Sequence, residues 1–247
     1  MGEFVREGIA LFEMTREQKE LAFDILNKSL SPKGVRKVKD IMIIEDYLKK
    51  LTARIGRHSP EEIDRLGSNR YYFTIMGTPS ETEPRGWQID GHHLVINYFV
   101  LGNQVVMTPT FMGSEPNFIE EGPNAGLRTF EEEENKGLAF YRSLDDQQKQ
   151  TATLWESKSY DFAQTEAFKD NVTVPYRGLR MNDLHTPQKA LLQELIDEYL
   201  SRMPAARATV KRKEISDHHA ETWFSWVGGG WRGRSLLLPH SKPRNSH

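Results

Sequence analysis

A chain that carries one pattern twice is constrained to a fold built twice. Gly8-Ile9, Gln18-Lys19, Leu21 and Ile25-Leu26 recur as Gly178-Leu179, Gln188-Lys189, Leu191 and Leu195-Ile196, always 170 positions later. Further along, Phe73-Thr74-Ile75-Met76-Gly77 recurs as Phe224-Ser225-Trp226-Val227-Gly228, now 151 positions later. A length change between the matching pieces accounts for the two offsets. The pattern predicts two related helix-then-strand units with a site between them. The short periods of a solenoid are absent.

The elements follow from local spacing. Thr15 precedes an apolar pattern at Leu21, Ala22, Ile25 and Leu26 that stops before Ser31-Pro32-Lys33-Gly34, which predicts a helix. A second helix is expected over 35–51, with Val38, Ile41, Met42, Leu48 and Leu51 inward. The polar stretch 54–69 reads as a connection, and 70–76 as a strand. From Trp87 a long strand is expected to run to Leu101. There Gly102-Asn103, between Val100-Leu101 and Val105-Val106-Met107, gives a two-residue hairpin signal. The Pro- and Gly-rich stretch 108–128 is expected to be a loop bordering a site. Helices are expected over 130–143, 145–157 and 186–203, the last with Pro187 in its first turn. Strands are expected at 210–215 and 220–227.

Composition narrows the chemistry. Of 247 residues, 33 are basic and 35 acidic, a net charge of −2 that argues against a general nucleic-acid or acidic-membrane binder. There is no cysteine, which excludes disulfides, thiolate metal sites and cysteine nucleophiles. Any metal must therefore be held by His, Asp, Glu or other oxygen ligands. No apolar run approaches the roughly 20 residues that span a bilayer. The start, Met1-Gly2-Glu3-Phe4-Val5-Arg6-Glu7, lacks the pattern of a signal peptide, so the expected location is cytoplasmic.

The segment Trp87-Gln88-Ile89-Asp90-Gly91-His92-His93-Leu94 concentrates the polar groups that can do chemistry. On an unbroken strand Gln88, Asp90 and His92 share one face, while Ile89, Gly91 and His93 share the other. That alternation predicts His92 as metal ligand or general base, Asp90 as the carboxylate that orients it, and His93 packed on the opposite side. Glu115 is a further candidate acid. A second cluster, Asp217-His218-His219-Ala220-Glu221, offers His219 and Glu221 as additional ligands. With His92 and His93 they would suit a divalent Zn, Fe or Mn ion. The alternatives are a surface loop at 217–221 and a histidine hydrogen-bonded to backbone at 92. No Gly-x-Ser-x-Gly elbow, Walker A loop or H-E-x-x-H helix occurs.

The motifs Gly77-Thr78-Pro79-Ser80, Gly86-Trp87-Gln88-Ile89-Asp90-Gly91-His92-His93-Leu94 and Thr108-Pro109-Thr110-Phe111-Met112-Gly113-Ser114-Glu115-Pro116 resemble those of domain-of-unknown-function family 3500. The resemblance runs from about Arg6 to Gly229 and implies membership without a mechanism. It also implies members that begin further upstream and continue past the Trp-Val-Gly-Gly strand into a second hairpin and a His-x-His segment. Here 230–247 has another composition, so a histidine pair that would complete a family site is missing.

The resulting expectation is an α+β protein, helix pairs packed on a mostly antiparallel sheet in two degenerate helix-strand units. Residues 1–229 would be one domain and 230–247 a disordered tail. The expected function is a small-molecule enzyme, a metal-dependent hydrolase, with a non-catalytic ligand-binding or protein-interaction domain as the alternative.

Overall fold

The computed structural model describes residues 6–157 and 175–228. The expected tail at 230–247 lies outside them. The fold is α+β, as the sequence predicts, and divides into two compact units. The first comprises 1–135 and 195–213, the second 136–194 and 214–247.

The first unit is an antiparallel sheet under two long helices. Strands β1 (Ile9–Ala10), β2 (Tyr72–Met76), β3 (Arg85–Asp90), β4 (Leu94–Leu101) and β5 (Gln104–Val106) lie side by side in that order, and β6 (Thr110–Met112) also pairs with β4. Phe73, Ile89 and Ile96 are partners across three strands, and Trp87 on β3 pairs with Tyr98 on β4, their rings stacked at 5.1 Å. These residues share one face because side chains alternate along a strand. That face buries against helices α1 (Arg16–Ser29) and α2 (Pro32–Ile55) through Leu26, Val38, Ile41 and Met42. Each such side chain contributes about 1.5–3 kcal/mol by leaving water. The other face carries the partners Thr74, Gln88 and Asn97.

Helix boundaries follow from capping. Thr15 and Gln18 form a reciprocal box at the start of α1: the Thr15 amide donates to Gln18 Oε1 at 2.8 Å, and the Gln18 amide to Thr15 Oγ1 at 3.2 Å. Ser31 accepts from the Gly34 amide at the start of α2, Pro32 opens that helix, and Gly56, with φ of 69°, ends it.

The stretch 54–69, expected to be a connection, contains the short helix α3 (Pro60–Asp64), capped by Ser59 with Glu62. The expected single strand from Trp87 is two strands, β3 and β4, broken at Gly91-His92-His93. The hairpin at Gly102-Asn103 is present between β4 and β5. Helix α4 (Glu131–Ser143) starts with four consecutive glutamates, where carboxylates suit the helix dipole.

The second unit holds α5 (Asp146–Ala152), β7 (Thr153–Trp155), β8 (Leu179–Arg180), the start of α6 (Thr186–Leu200), the end of α7 (Ala205–Asp217), β9 (Trp223–Phe224) and β10 (Trp226–Val227). The strand expected at 210–215 is helical, within α7. The strand expected at 220–227 is a 3-10 turn followed by the two short strands β9 and β10. Gln148 and Gln188 exchange amide hydrogen bonds at 3.1 and 2.7 Å, both buried, so each satisfies the other's polar groups.

The duplication is visible bond by bond. Ile9 pairs with Phe73, and Leu179 with Phe224, both antiparallel. The Leu11 amide donates to Tyr71 O at 2.9 Å, and the Met181 amide to Thr222 O at 2.9 Å. Thr74 Oγ1 donates to Glu7 O, and Ser225 Oγ to Arg177 O. A 3-10 turn precedes each strand, at Ser68–Arg70 and His219–Glu221. Gly8 and Gly178 have φ of 97° and 101°, and a Cβ on either would lie 2.2 Å from the carbonyl oxygen of Phe73 or Phe224.

Candidate metal centre

Glu45 occupies a position that helical spacing assigns to the core. It lies four residues after Ile41 and three before Leu48, on the buried stripe of α2, and is 1% exposed. A carboxylate there needs partners, because an unpaired buried charge is expensive. The partners are the two histidines of the β3–β4 turn. His92 Nδ1 lies 3.0 Å from Glu45 Oε1, and His93 Nδ1 lies 3.0 Å from Glu45 Oε2. The imidazole rings sit 4.0 Å apart, tilted by 42°.

This geometry corrects the prediction that the two histidines face opposite ways. Alternation holds only along a strand, and Gly91, His92 and His93 form the turn that closes the hairpin. The Gly91 amide donates to Leu94 O at 2.8 Å, and the Gly113 amide to His93 O at 2.8 Å, so the turn is fixed on both sides. Asp90, the expected orienting carboxylate, points instead to Arg6, whose Nε donates to it at 3.2 Å. Burial pushes the Asp90 carboxyl up and the Arg6 charge opposes that shift. Glu45 holds the orienting place.

Electrostatics mark Glu45 as the centre of the group. Burial pushes its carboxyl up, yet hydrogen bonds and attraction from His92 and His93 outweigh this and hold it at about 2. Glu45 is thus a carboxylate throughout the physiological range. A carboxylate only accepts hydrogen bonds, so both imidazoles present N–H groups to it in the metal-free protein. The His92 side chain is 41% exposed, His93 15%, which opens the group to solvent on the His92 side. Beneath the turn lies Tyr71, fully buried; burial, then the charges of Glu45 and Asp46, push its phenol far above the ordinary range.

Glu45, His92 and His93 each offer a ligand atom within 4.8 Å of the others, and among the described residues they form the group able to hold a metal ion. One carboxylate oxygen and two imidazole nitrogens are the oxygen and nitrogen donors that divalent transition metals take. The residues therefore fit a divalent cation. His219 and Glu221 lie in the second unit, on the 3-10 turn before β9, and do not belong to this group; the His219 Nε2 is buried without a hydrogen-bond partner. The group belongs wholly to the first unit. Glu115 is exposed, two residues beyond Gly113, in the loop that adjoins His93. Sequence reasoning missed Glu45. Its signal was an acid inside the apolar spacing of α2.

An α+β fold with a carboxylate and two imidazoles converging in a hairpin turn defines the class. The chain belongs to the family described as protein of unknown function (DUF3500), whose model matches residues 2–236. No curated protein and no solved structure matches it. No described helix is long and apolar enough to cross a membrane.

Proposed function

We propose that the chain is a metal-dependent enzyme acting on a small molecule, with Glu45, His92 and His93 as the protein ligands of a Zn, Fe or Mn ion. The observation that carries the reading is the convergence of both imidazole Nδ1 atoms on one buried carboxylate, with one side open to solvent. Two histidines and a glutamate are a donor set of catalytic zinc sites, which keep a position for water. An ion held there would supply a water of lowered pKa as nucleophile, and hydrolysis is the reaction we assign. Binding would require each Nδ1 as a lone-pair donor, with the imidazole proton carried on Nε2 instead. Glu115, in the loop beside His93, is the proposed acid for the leaving group. Asp90 anchors the hairpin through Arg6 and takes no step.

The test is metal content and turnover together. Protein purified without a histidine tag is stripped, offered Zn2+, Mn2+ or Fe2+, and analysed for bound metal and for hydrolysis of ester, lactone and phosphoester panels. One ion per chain is expected, lost in Glu45→Gln and His92→Ala with the helical circular dichroism unchanged. A wild-type chain that retains no metal refutes the reading. Stoichiometric metal without hydrolysis on any panel reduces it to a metal-binding domain.

A further inference from the structure

The hydroxyl of Tyr71 is buried and has no hydrogen-bond partner, in a side chain that is 0% exposed. Leaving a buried polar group unpaired costs about 1–3 kcal/mol, and native proteins usually satisfy such groups with protein, water or ligand. The residue stands under the histidine turn. Tyr72 pairs with Asp90, which sets Tyr71 beside Gly91. A Cβ added to Gly91 would lie 2.4 Å from the Tyr71 ring Cε1 and 2.8 Å from Cζ, the carbon that bears the hydroxyl. The glycine before His92 is thus the space into which this phenol fits.

The duplication separates what the fold requires from what this position adds. Thr222 is the counterpart of Tyr71, and the backbone carbonyls of both accept the same strand bond at 2.9 Å. Their side chains differ. The Thr222 hydroxyl donates to His218 O at 3.0 Å and is satisfied locally, whereas that of Tyr71 is not. The phenol occurs in the unit that carries Glu45, His92 and His93, and the matching backbone bond forms without it.

We propose that Tyr71 is a positioning residue of the Glu45–His92–His93 site, whose hydroxyl would donate a hydrogen bond to an oxygen ligand of an ion bound there. This rests on the metal reading above. A phenol can supply that bond to an oxygen ligand, and a donor bonded to an anionic oxygen is stronger than one bonded to a neutral one.

Full-length wild type and Tyr71→Phe are compared metal-free and with Co2+ as the added metal. The metal-free variant is expected to melt no lower than wild type, since it loses only an unpaired hydroxyl. Both should take up one Co2+ per chain, the variant roughly tenfold more weakly. The variant's melting temperature should rise less on Co2+ addition, and its visible Co2+ spectrum should differ from that of wild type. A metal-free variant melting several degrees below wild type would show that the hydroxyl serves the fold. Identical Co2+ spectra and equal stabilisation would show that it does not reach the ion's oxygen ligand. Absence of Co2+ uptake by wild type overturns the metal reading and this inference together, whereas a difference confined to the variant bears on Tyr71 alone.

Discussion

At the scale of single residues, Glu45 controls both the chemistry of the turn and its sensitivity to acid. Its carboxyl is held at about 2 in the folded chain, below the ordinary 4.5. A depressed folded value means that the stabilisation is fully present above pH 4.5 and is lost as pH falls toward 2. The shift corresponds to a contribution on the order of 3 kcal/mol in the metal-free protein. Glu45→Gln cannot titrate, so the stability gap between it and wild type should narrow as pH drops through that window. Urea unfolding at successive pH values measures this; a gap constant down to pH 2 would contradict the assignment. Gly91 is the second sensitive residue. Gly91→Ala drives a methyl into the buried Tyr71 ring. Overpacking of this kind costs about 1–3 kcal/mol, and here it should also weaken metal uptake by displacing the turn. A variant with unchanged melting temperature and full metal content would show that the ring can move aside.

At the scale of elements, the duplicated β-strand and helix unit makes a paired prediction. Gly8 and Gly178 share a left-handed backbone and the same approach to a carbonyl oxygen. Alanine at either should destabilise by about 2–4 kcal/mol, through strain at positive φ and the clash with the facing strand. Circular dichroism melts of the two variants test this, and a tolerated alanine at one site only would show that the copies have diverged there. The repeat was legible in the sequence because its bonds run through the side chains and glycines that recur, such as Gly8, Gln18 and Phe73. Helices α1 and α2 were legible from their apolar spacing and caps. The hairpin turn was not, because alternation was carried through Asp90-Gly91, although Asp-Gly is itself a turn signal. The two histidines therefore came out on opposite faces, and Glu45 was passed over as one charge within an apolar stripe. The strand expected at 210–215 rested on Val210 and Ile215. Ala205, Ala206 and Ala208, with the Lys, Arg and Glu that follow, favour the helix that forms. No local pattern could have paired Glu45 with residues 47 and 48 positions away.

At the scale of the molecule, the first unit is discontinuous: its chain leaves at 135 and returns over 195–213. The returning segment carries polar bonds that the first unit needs. Arg202 Nη2 donates to Glu133, Lys37 Nζ lies 2.8 Å from Glu133, and all three are less than a tenth exposed. The Ser31 amide donates to Arg202 O at 3.0 Å, Ser31 Oγ to Ser201 O at 2.6 Å, and Arg207 donates to the Tyr98 hydroxyl. Gly34 is there because a Cβ would lie 2.3 Å from Arg202 O. Breaking one arm of a buried charge network costs about 3–5 kcal/mol, since the remaining charges stay buried. Glu133→Ala, which strands both Lys37 and Arg202, should therefore destabilise more than loss of any exposed pair such as Arg16–Glu20. By the same reasoning residues 1–135 alone should fail to fold cooperatively, for they leave Lys37 and Glu133 without Arg202 and uncover the start of α2. Joining 135 to 195 through a flexible Gly/Ser linker should restore a sigmoidal urea transition and uptake of one metal ion. A fragment 1–135 that unfolds cooperatively and binds metal by itself would show that the returning segment is dispensable.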